Sequence, residues 1–142
     1  MMQRIVVDTS VIVTALRSRT GAGFALVRAA RDRRVTLLAT PTLFFEYEDV
    51  LKRNVQREVS GLTLDDVDRF LGALAILVEP VEVHMRWRPQ LRDPDDEMVL
   101  ETAINGRADA LVTYNIRDFS DAAPRFGVRL LRPADVLKEL SE

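Results

Sequence analysis

Short apolar runs alternate with amphipathic segments along most of this chain. Continuous apolar runs are typical of strands buried in a parallel sheet, whereas apolar residues three or four positions apart predict helices. The predicted strands are residues 5–7, 35–39, 81–83, 110–113 and 128–131. Strands that alternate with helices predict an α/β protein with a mainly parallel sheet and helices on both faces.

Six helices are predicted around these strands, at residues 11–17, 24–34, 40–51, 63–78, 95–105 and 133–140. Thr9 or Ser10 can cap the first of them, and Gly106 closes the fifth. Residues 55–61 are polar and predict a break in the helical pattern. The helices on either side of this break are expected to form a hairpin that stands apart from the sheet.

The composition limits the possible chemistry. A length of 142 residues with 47% hydrophobic content predicts one domain, residues 1–142, with one core. The chain has no cysteine, no signal-peptide pattern and no apolar run that would cross a membrane, so we expect a cytoplasmic protein. Disulfides, thiolate zinc sites and cysteine nucleophiles are excluded, and His84 is the one histidine. The abundant carboxylates suit Mg²⁺ or Mn²⁺.

The net charge of −2 gives no global positive field that would mark a nucleic-acid-binding protein. The positive charge comes from 18 arginines and 2 lysines. Arginine matches phosphate geometry well. Genomic base composition explains this bias at least as well.

Two aspartates are expected to meet at one edge of the sheet. Asp8 directly follows the first strand, and ligands in open α/β sheets bind outside the carboxyl ends of the strands. Asp96 heads the apolar face of its helix, at the end that faces the same edge. Helix capping accounts for Asp93 and Asp95, but it does not explain the position of Asp96 on the apolar face.

Other polar residues are candidates for the same edge. Asn115 and Asp118 follow the strand at 110–113, although Asp118 alone is also explained as a solvated loop acid. Glu46 lies at the margin of an apolar helical stripe, and Glu48 competes with it on spacing. Clustered carboxylates repel one another unless a cation neutralises them. A Mg²⁺ or Mn²⁺ ion among them would support phosphodiester hydrolysis.

Four stretches of the chain together resemble the PIN-domain family. They are Val6–Val11 around Asp8, Phe45–Leu51 around Glu46, Arg92–Asp96 with Leu100 and Ala103, and Ala108–Asn115. Within that family, the chain is similar to the toxins of toxin–antitoxin systems of the VapC type. The match runs in order along nearly the whole chain, including Gly127 before the last strand and Pro133 in the closing helix.

The resemblance implies a three-layer α/β/α sandwich and a Mg²⁺- or Mn²⁺-dependent ribonuclease. Asp8, Glu46 and Asp96 match the three best-preserved acids of the family. The fourth acid of the family falls on Asn115 here, and Asp118 takes that role in family members with the Asn-x-x-Asp-Phe pattern. The side chains expected to support the ion and its water shell are Thr9, Ser10, Thr113 and Asn115.

The resemblance also implies partners. A toxin of this type cleaves RNA and is silenced by a small antitoxin that covers the acidic pocket. Such relatives commonly form homodimers through the helices near the hairpin. Trp87 could stack on RNA bases, and it could equally pack over the segment that precedes the fifth helix.

Two other interpretations stay open. A phosphoryl-transfer domain would use Asp8 as a nucleophile, but Ser10 stands where a phosphatase has its second aspartate, and no lysine follows a late strand. The second is a PIN-like module that binds RNA or protein with weak or no cleavage. The asparagine at position 115 keeps this second interpretation open.

Overall fold

The computed structural model describes residues 2–86, 88 and 90–142, without the side chains of residues 54 and 55. Both interpretations of Trp87 therefore lie outside the described residues. Within them, five strands form one sheet with the order β3-β2-β1-β4-β5, and every neighbouring pair is parallel. The strands are β1 (Gln3–Val7), β2 (Val35–Ala39), β3 (Val78–Pro80), β4 (Ala110–Val112) and β5 (Arg129–Leu131).

Helices flank this sheet and complete the predicted α/β/α sandwich. They are α1 (Thr9–Arg17), α2 (Ala22–Arg31), α3 (Pro41–Leu51), α4 (Asn54–Ser60), α5 (Leu64–Leu77), α6 (Pro94–Asn105), α7 (Ile116–Phe119) and α8 (Pro133–Leu140). A 3-10 helix spans Ala123–Phe126. None of the described helices combines the length and the apolar character that a membrane span requires.

The strand β1 forms the centre of the core. It pairs with β2 on one side and β4 on the other, and Ile5, Val6 and Val7 are almost fully buried. A strand covered by helices on both faces requires an apolar residue at every position, which explains the uninterrupted run. The chain then leaves the sheet at Asp8, at the carboxyl end of its central strand.

Two expectations about the helices were wrong. The polar residues after α3 form the short helix α4, which ends at Gly61 in a left-handed conformation (φ 74°). The hairpin does not stand apart, because Val67, Leu71 and Leu74 of α5 are buried in the same core as β1. The residues of α4 are mostly polar, so they show no apolar period from which a helix could be predicted.

The third strand lies earlier than predicted. The segment predicted as strand 81–83 is irregular, and β3 occupies Val78–Pro80, where the preceding helix was expected to end. The backbone N–H of Val81 still donates to the carbonyl of Ala39 at 3.0 Å, and Val81 is buried. The pairing of this segment with β2 therefore ends near Val81, whereas the apolar residues 81 and 83 predicted that a strand begins there.

Gly106 follows α6 for a different reason from the one predicted. Its φ of −85° is ordinary, so no left-handed turn requires glycine there. A Cβ atom at this position would lie 2.9 Å from both the carbonyl oxygen of Thr102 and a methyl group of Val81. Glycine is needed because the end of α6 packs closely against the chain that follows β3.

Candidate active site

Asp8 is held rigidly at the end of β1. Its backbone N–H donates to the carbonyl of Val112 at 2.9 Å, so the pairing with β4 extends to this residue. The hydroxyl of Thr113 donates to Asp8 Oδ2 at 2.7 Å, and the hydroxyl of Ser10 donates to the same oxygen at 3.2 Å. Asp8 is 6% exposed, and it occupies the N-cap position of α1 in place of Thr9 or Ser10.

Burial is the main influence on the Asp8 carboxyl and raises its pKa above the ordinary value. The hydrogen bonds from Thr113 and Ser10 oppose this increase, whereas the negative charge of Asp118 adds to it. The two hydroxyls therefore favour the ionised form of a buried acid. Thr9, which the resemblance grouped with them, is half-buried at the start of α1.

The loop after β4 is tied to Asp8 through Thr113. The backbone N–H of Asn115 donates to the Thr113 hydroxyl at 2.9 Å, and the N–H of Asp118 donates to the carbonyl of Asn115 at 3.0 Å. Asn115 thus contributes its backbone to this chain of hydrogen bonds, and Asn115 is itself exposed. The short helix α7, which the sequence pattern did not predict, carries Asp118 back towards the edge of the sheet.

Asp96 lies in the first turn of α6, above the buried residues Val99, Leu100 and Ala103, as predicted. Burial raises the pKa of its carboxyl to about 7. Negative charges nearby add to the increase, in decreasing order of effect from Asp8, Asp93, Asp118 and Asp95. The structure thus brings Asp96, Asp8 and Asp118 within electrostatic reach of one another.

Glu46 lies further from this group. Burial raises the pKa of its carboxyl, and the strongest charge effects on it come from Asp95, Arg53, Asp49 and Asp93. Its position on α3 therefore faces the first turn of α6. Asp93 caps that turn, because its side chain accepts from the N–H of Asp95 at 2.9 Å.

A cavity of about 720 Å³ opens beside the acids. Asp96 and Asp118 line it, whereas Asp8 and Glu46 do not. The other lining residues come from the segment before α6, from α7 and from the chain between α7 and β5: Gln90, Leu91, Arg92, Asp93, Arg117, Asp121 and Arg125. Solvent and a substrate can therefore reach Asp96 and Asp118 directly.

The donor set fits a hard divalent cation in charge and chemistry. The charge of Asp118 disfavours ionisation of Asp8, and the charges of Asp8 and Asp118 disfavour ionisation of Asp96, so a cation would relieve that repulsion. Across residues 2–86, 88 and 90–142, however, no three acidic or histidine side chains are close enough to share one ion. An ion could therefore be held by one or two of these carboxylates and water, and a third carboxylate would have to move closer to join them.

Tyr47 forms a hydrogen bond with the backbone of the residue before Asp8. The sequence pattern predicted only that Tyr47 belongs to the core. Its ring is buried on α3, and its hydroxyl donates to the carbonyl of Val7. Burial raises the pKa of Tyr47 above its ordinary value. A tyrosine on an apolar stripe requires a hydrogen-bond acceptor when it is buried, and that requirement was the available signal.

The sequence pattern also did not predict the role of a polar stripe on α6 formed by Glu97, Glu101 and Asn105. We name the described residues of 81–93 the strap, because three side chains of α6 hold this irregular segment. Glu97 accepts from backbone N–H groups of the strap, Glu101 pairs with Arg88, and Asn105 bonds the backbone of residues 84 and 85. The i, i+4, i+8 spacing of these three residues was the signal for it.

Comparison with known proteins identifies the family. The family model described as PIN domain matches residues 4–117, and the chain therefore belongs to the PIN-domain family. PIN domains are generally nucleases. No curated protein matches the chain in sequence.

One similar solved structure is that of VapBC2 from Rickettsia felis bound to a DNA fragment from their promoter. The TM-score is 0.63 at 15% sequence identity, over 92% of this chain and 98% of that chain. At this identity the likeness shows the fold. It agrees with the predicted sandwich, and the family that the four sequence stretches indicated is shown by the family model.

Proposed function

We propose that this protein is a Mg²⁺- or Mn²⁺-dependent endoribonuclease. Asp8, Glu46, Asp96 and Asp118 would hold the ion, with Thr9, Ser10, Thr113 and Asn115 around it. The observation that carries the proposal is that Asp8, Asp96 and Asp118 lie close enough at one edge of the sheet for the charges of Asp8 and Asp118 to raise the pKa of Asp96, and that of Asp118 to raise the pKa of Asp8. Acids whose pKa values are raised by burial and by neighbouring acids are typical of functional sites.

The surroundings of Asp8 and Asp96 give the two carboxylates different roles in this proposal. Thr113 and Ser10 hold the Asp8 carboxylate in one orientation and favour its charge. An ion bound there would supply a water of lowered pKa and would stabilise negative charge on the phosphate and the leaving oxygen. Asp96 must lose its proton before it can act as a ligand, so we expect affinity for the ion to increase as the pH rises through about 7.

Asp118 is the best candidate for the fourth acid. Its charge acts on both Asp8 and Asp96, and it lines the open cavity. Asn115 offers an exposed amide in place of a carboxylate. Glu46 is included on the family pattern and on its position opposite the first turn of α6.

The direct test is cleavage of a mixed RNA pool in the presence of Mn²⁺. We expect the wild type to cleave, and Asp8→Asn and Asp96→Asn to lose nearly all of that activity. EDTA should abolish cleavage by the wild type. Equal cleavage by all three proteins would refute the mechanism.

A second candidate function is a PIN-like module that binds RNA or protein with little cleavage. It is favoured by the spacing of the acids, because no three of those in the described residues can share an ion as they stand. Titration calorimetry of Mn²⁺ into the metal-free protein separates the two functions. A nuclease should bind Mn²⁺ and lose that binding on Asp8→Asn, whereas a binding module should show no heat in either case.

We further propose that the protein is the cytoplasmic toxin of a toxin–antitoxin pair. The family and the likeness to VapBC2 support this assignment. Its antitoxin would be a small protein that covers the acidic pocket. Co-expression with the gene next to its own should restore growth that the wild type alone inhibits, and Asp8→Asn should not inhibit growth at all.

A homodimer is proposed on the same basis. Large apolar side chains are exposed on the helices between β2 and β3, among them Phe45, Val59 and Ile76, of which Ile76 is 86% exposed. Burial of such side chains is the usual driving force for association. Light scattering should give twice the chain mass for the wild type, and Ile76→Glu should shift the protein towards the monomer.

A further inference from the structure

The cavity beside the acids has arginines at its rim that the cleavage chemistry does not use. Arg92 lies on the strap, Arg117 on α7 and Arg125 on the 3-10 helix. All three are exposed. They come from three separate segments of the chain, so no single helix end or run of sequence explains the group.

The three arginines differ in their pairing. Arg125 Nη1 donates to Gln90 Oε1 at 3.2 Å and so joins the 3-10 helix to the strap. The guanidinium groups of Arg92 and Arg117 form no ion pair or hydrogen bond with any other described residue, although acids line the same cavity. Exposed ion pairs gain little in water, so these two guanidinium groups stay available for another anion.

The charged side chains that line the cavity differ in burial. Asp96 is half-buried, whereas Arg92 on the strap and Arg117 on α7 are exposed. Three exposed acids, Asp93, Asp118 and Asp121, line the same cavity. The two unpaired guanidinium groups therefore give a polyanion local positive charge beside Asp96, although the whole chain carries a net charge of −2.

We propose that Arg92 and Arg117 bind the two phosphates that flank the cleaved one, and so orient a single RNA strand across the cavity. This inference rests on the proposed ribonuclease function. A guanidinium group can donate two parallel hydrogen bonds to the oxygens of one phosphate. Such contacts fix the register of a nucleic acid without reading its sequence. The cavity volume of about 720 Å³ is within the range of ligand sites.

Steady-state cleavage of a fluorescein-labelled single-stranded RNA with Mn²⁺ provides the first test. Arg92→Ala and Arg117→Ala should each raise KM by about fivefold, as expected for one exposed ionic contact, with kcat within about twofold of the wild type. Lysine at either position should restore part of the loss. Arg31→Gln is the matched control, because Arg31 ends α2 at the opposite edge of the sheet and, among the described residues, its guanidinium pairs with exposed Asp32 alone.

Binding of the same RNA to the Asp8→Asn protein provides a test that needs no cleavage. Fluorescence anisotropy at several salt concentrations should show that each arginine-to-alanine change reduces the salt slope by about 0.7. Arg31→Gln should leave the slope unchanged. Values of KM and slope within error of the wild type for both alanine variants would overturn the proposal.

The two tests separate this inference from the proposed function. A wild type that does not cleave RNA refutes the ribonuclease, and the anisotropy experiment then still decides the role of the arginines. A wild type that cleaves, combined with unchanged KM in Arg92→Ala and Arg117→Ala, refutes the arginines alone. Circular dichroism melts of each variant verify that the fold is retained.

Discussion

Asp96 and Glu97 are consecutive on α6, and their carboxylates have opposite surroundings. Glu97 is 5% exposed, and its Oε1 accepts from the backbone N–H groups of Gln90 at 2.5 Å and Leu91 at 2.7 Å. The Asp96 carboxylate accepts no hydrogen bond from any described residue, and burial together with neighbouring acids raises its pKa to about 7. The chain thus provides hydrogen-bond donors for the carboxylate of Glu97 but none for the carboxylate of Asp96.

The pattern continues one turn further along the helix. Glu101 is also buried, and both of its oxygens accept from the guanidinium of Arg88, at 2.9 and 3.0 Å from Nε. This interaction raises the pKa of Arg88. A carboxylate completed by donors of its own chain holds the fold together, whereas one without donors is available to a ligand.

The largest expected effect separates Asp96 from Glu97 by activity. Asp96→Asn removes a proposed metal ligand, and we expect cleavage to fall by at least about 100-fold, since even outer partners of a metal ligand cost roughly 10- to 100-fold. Glu97→Gln keeps one acceptor for the strap, so its kcat should stay within about threefold of the wild type. Single-turnover cleavage with saturating Mn²⁺ measures both.

The melting temperature should change in the reverse order. Glu97→Gln weakens two charge-assisted hydrogen bonds and should destabilise the protein, whereas Asp96→Asn should not. The contrast between the two acids fails if Glu97→Gln loses as much activity as Asp96→Asn while it remains folded. It also fails if both changes destabilise the protein equally.

The next effect concerns the ion pair between buried Glu101 and partly exposed Arg88. Glu101→Gln should lower the free energy of unfolding by about 2 kcal/mol, less than for a fully buried pair because the Arg88 side chain is 41% exposed. Asp49→Asn is the control, since its pair with Arg53 is exposed on both sides and should matter by no more than about 0.5 kcal/mol. Urea unfolding of the three proteins gives the comparison, and equal losses in the two variants would contradict it.

Thr113 tests how far a single hydroxyl determines the state of Asp8. Thr113→Val removes the 2.7 Å hydrogen bond that lowers the Asp8 pKa, so that pKa should rise. Cleavage should fall by about tenfold, and the acidic limb of the pH–rate profile should move to higher pH. Thr113→Ser should restore both. An unchanged profile in the valine variant would show that the hydroxyl does not influence the reaction.

The sequence predicted the parts of the site that depend on strand ends and helical period. Asp8 follows from the end of an apolar run, and Asp96 follows from its place above Val99 and Leu100. The sheet and its flanking helices follow from the same patterns. These features could be predicted because burial imposes a period that a single sequence displays.

The remaining features depend on contacts between distant segments. The strap is held by Glu97, Glu101 and Asn105, whose partners lie 6 to 21 positions earlier in the chain. The bond from Tyr47 to Val7 joins residues 40 positions apart. A polar residue shows no period that reveals its partner, so sequence patterns predicted neither these contacts nor the position of Glu46 relative to the other acids.

The smallest expected effect is on the pH dependence of stability without divalent ions. Between the ordinary pKa of 3.8 and about 7, folded Asp96 holds a proton that the unfolded chain has lost. Stability from this group is therefore complete below about pH 4 and is lost as the pH rises through 7. Because Asp96 is only partly buried, we expect a loss of about 1 kcal/mol, or about 3 °C in Tm.

Asp96→Asn should lack this loss, so that it melts about 3 °C above the wild type at pH 8 and close to it at pH 4.5. Mn²⁺ at pH 8 should stabilise the wild type and not the variant, because only the wild type offers the ionised ligand. Glu97→Gln is the matched control and should keep the response to Mn²⁺. A difference between wild type and Asp96→Asn that stays constant with pH would show that Asp96 has the same surroundings in the folded and unfolded chain. The contrast with Glu97 would then rest on hydrogen bonds alone.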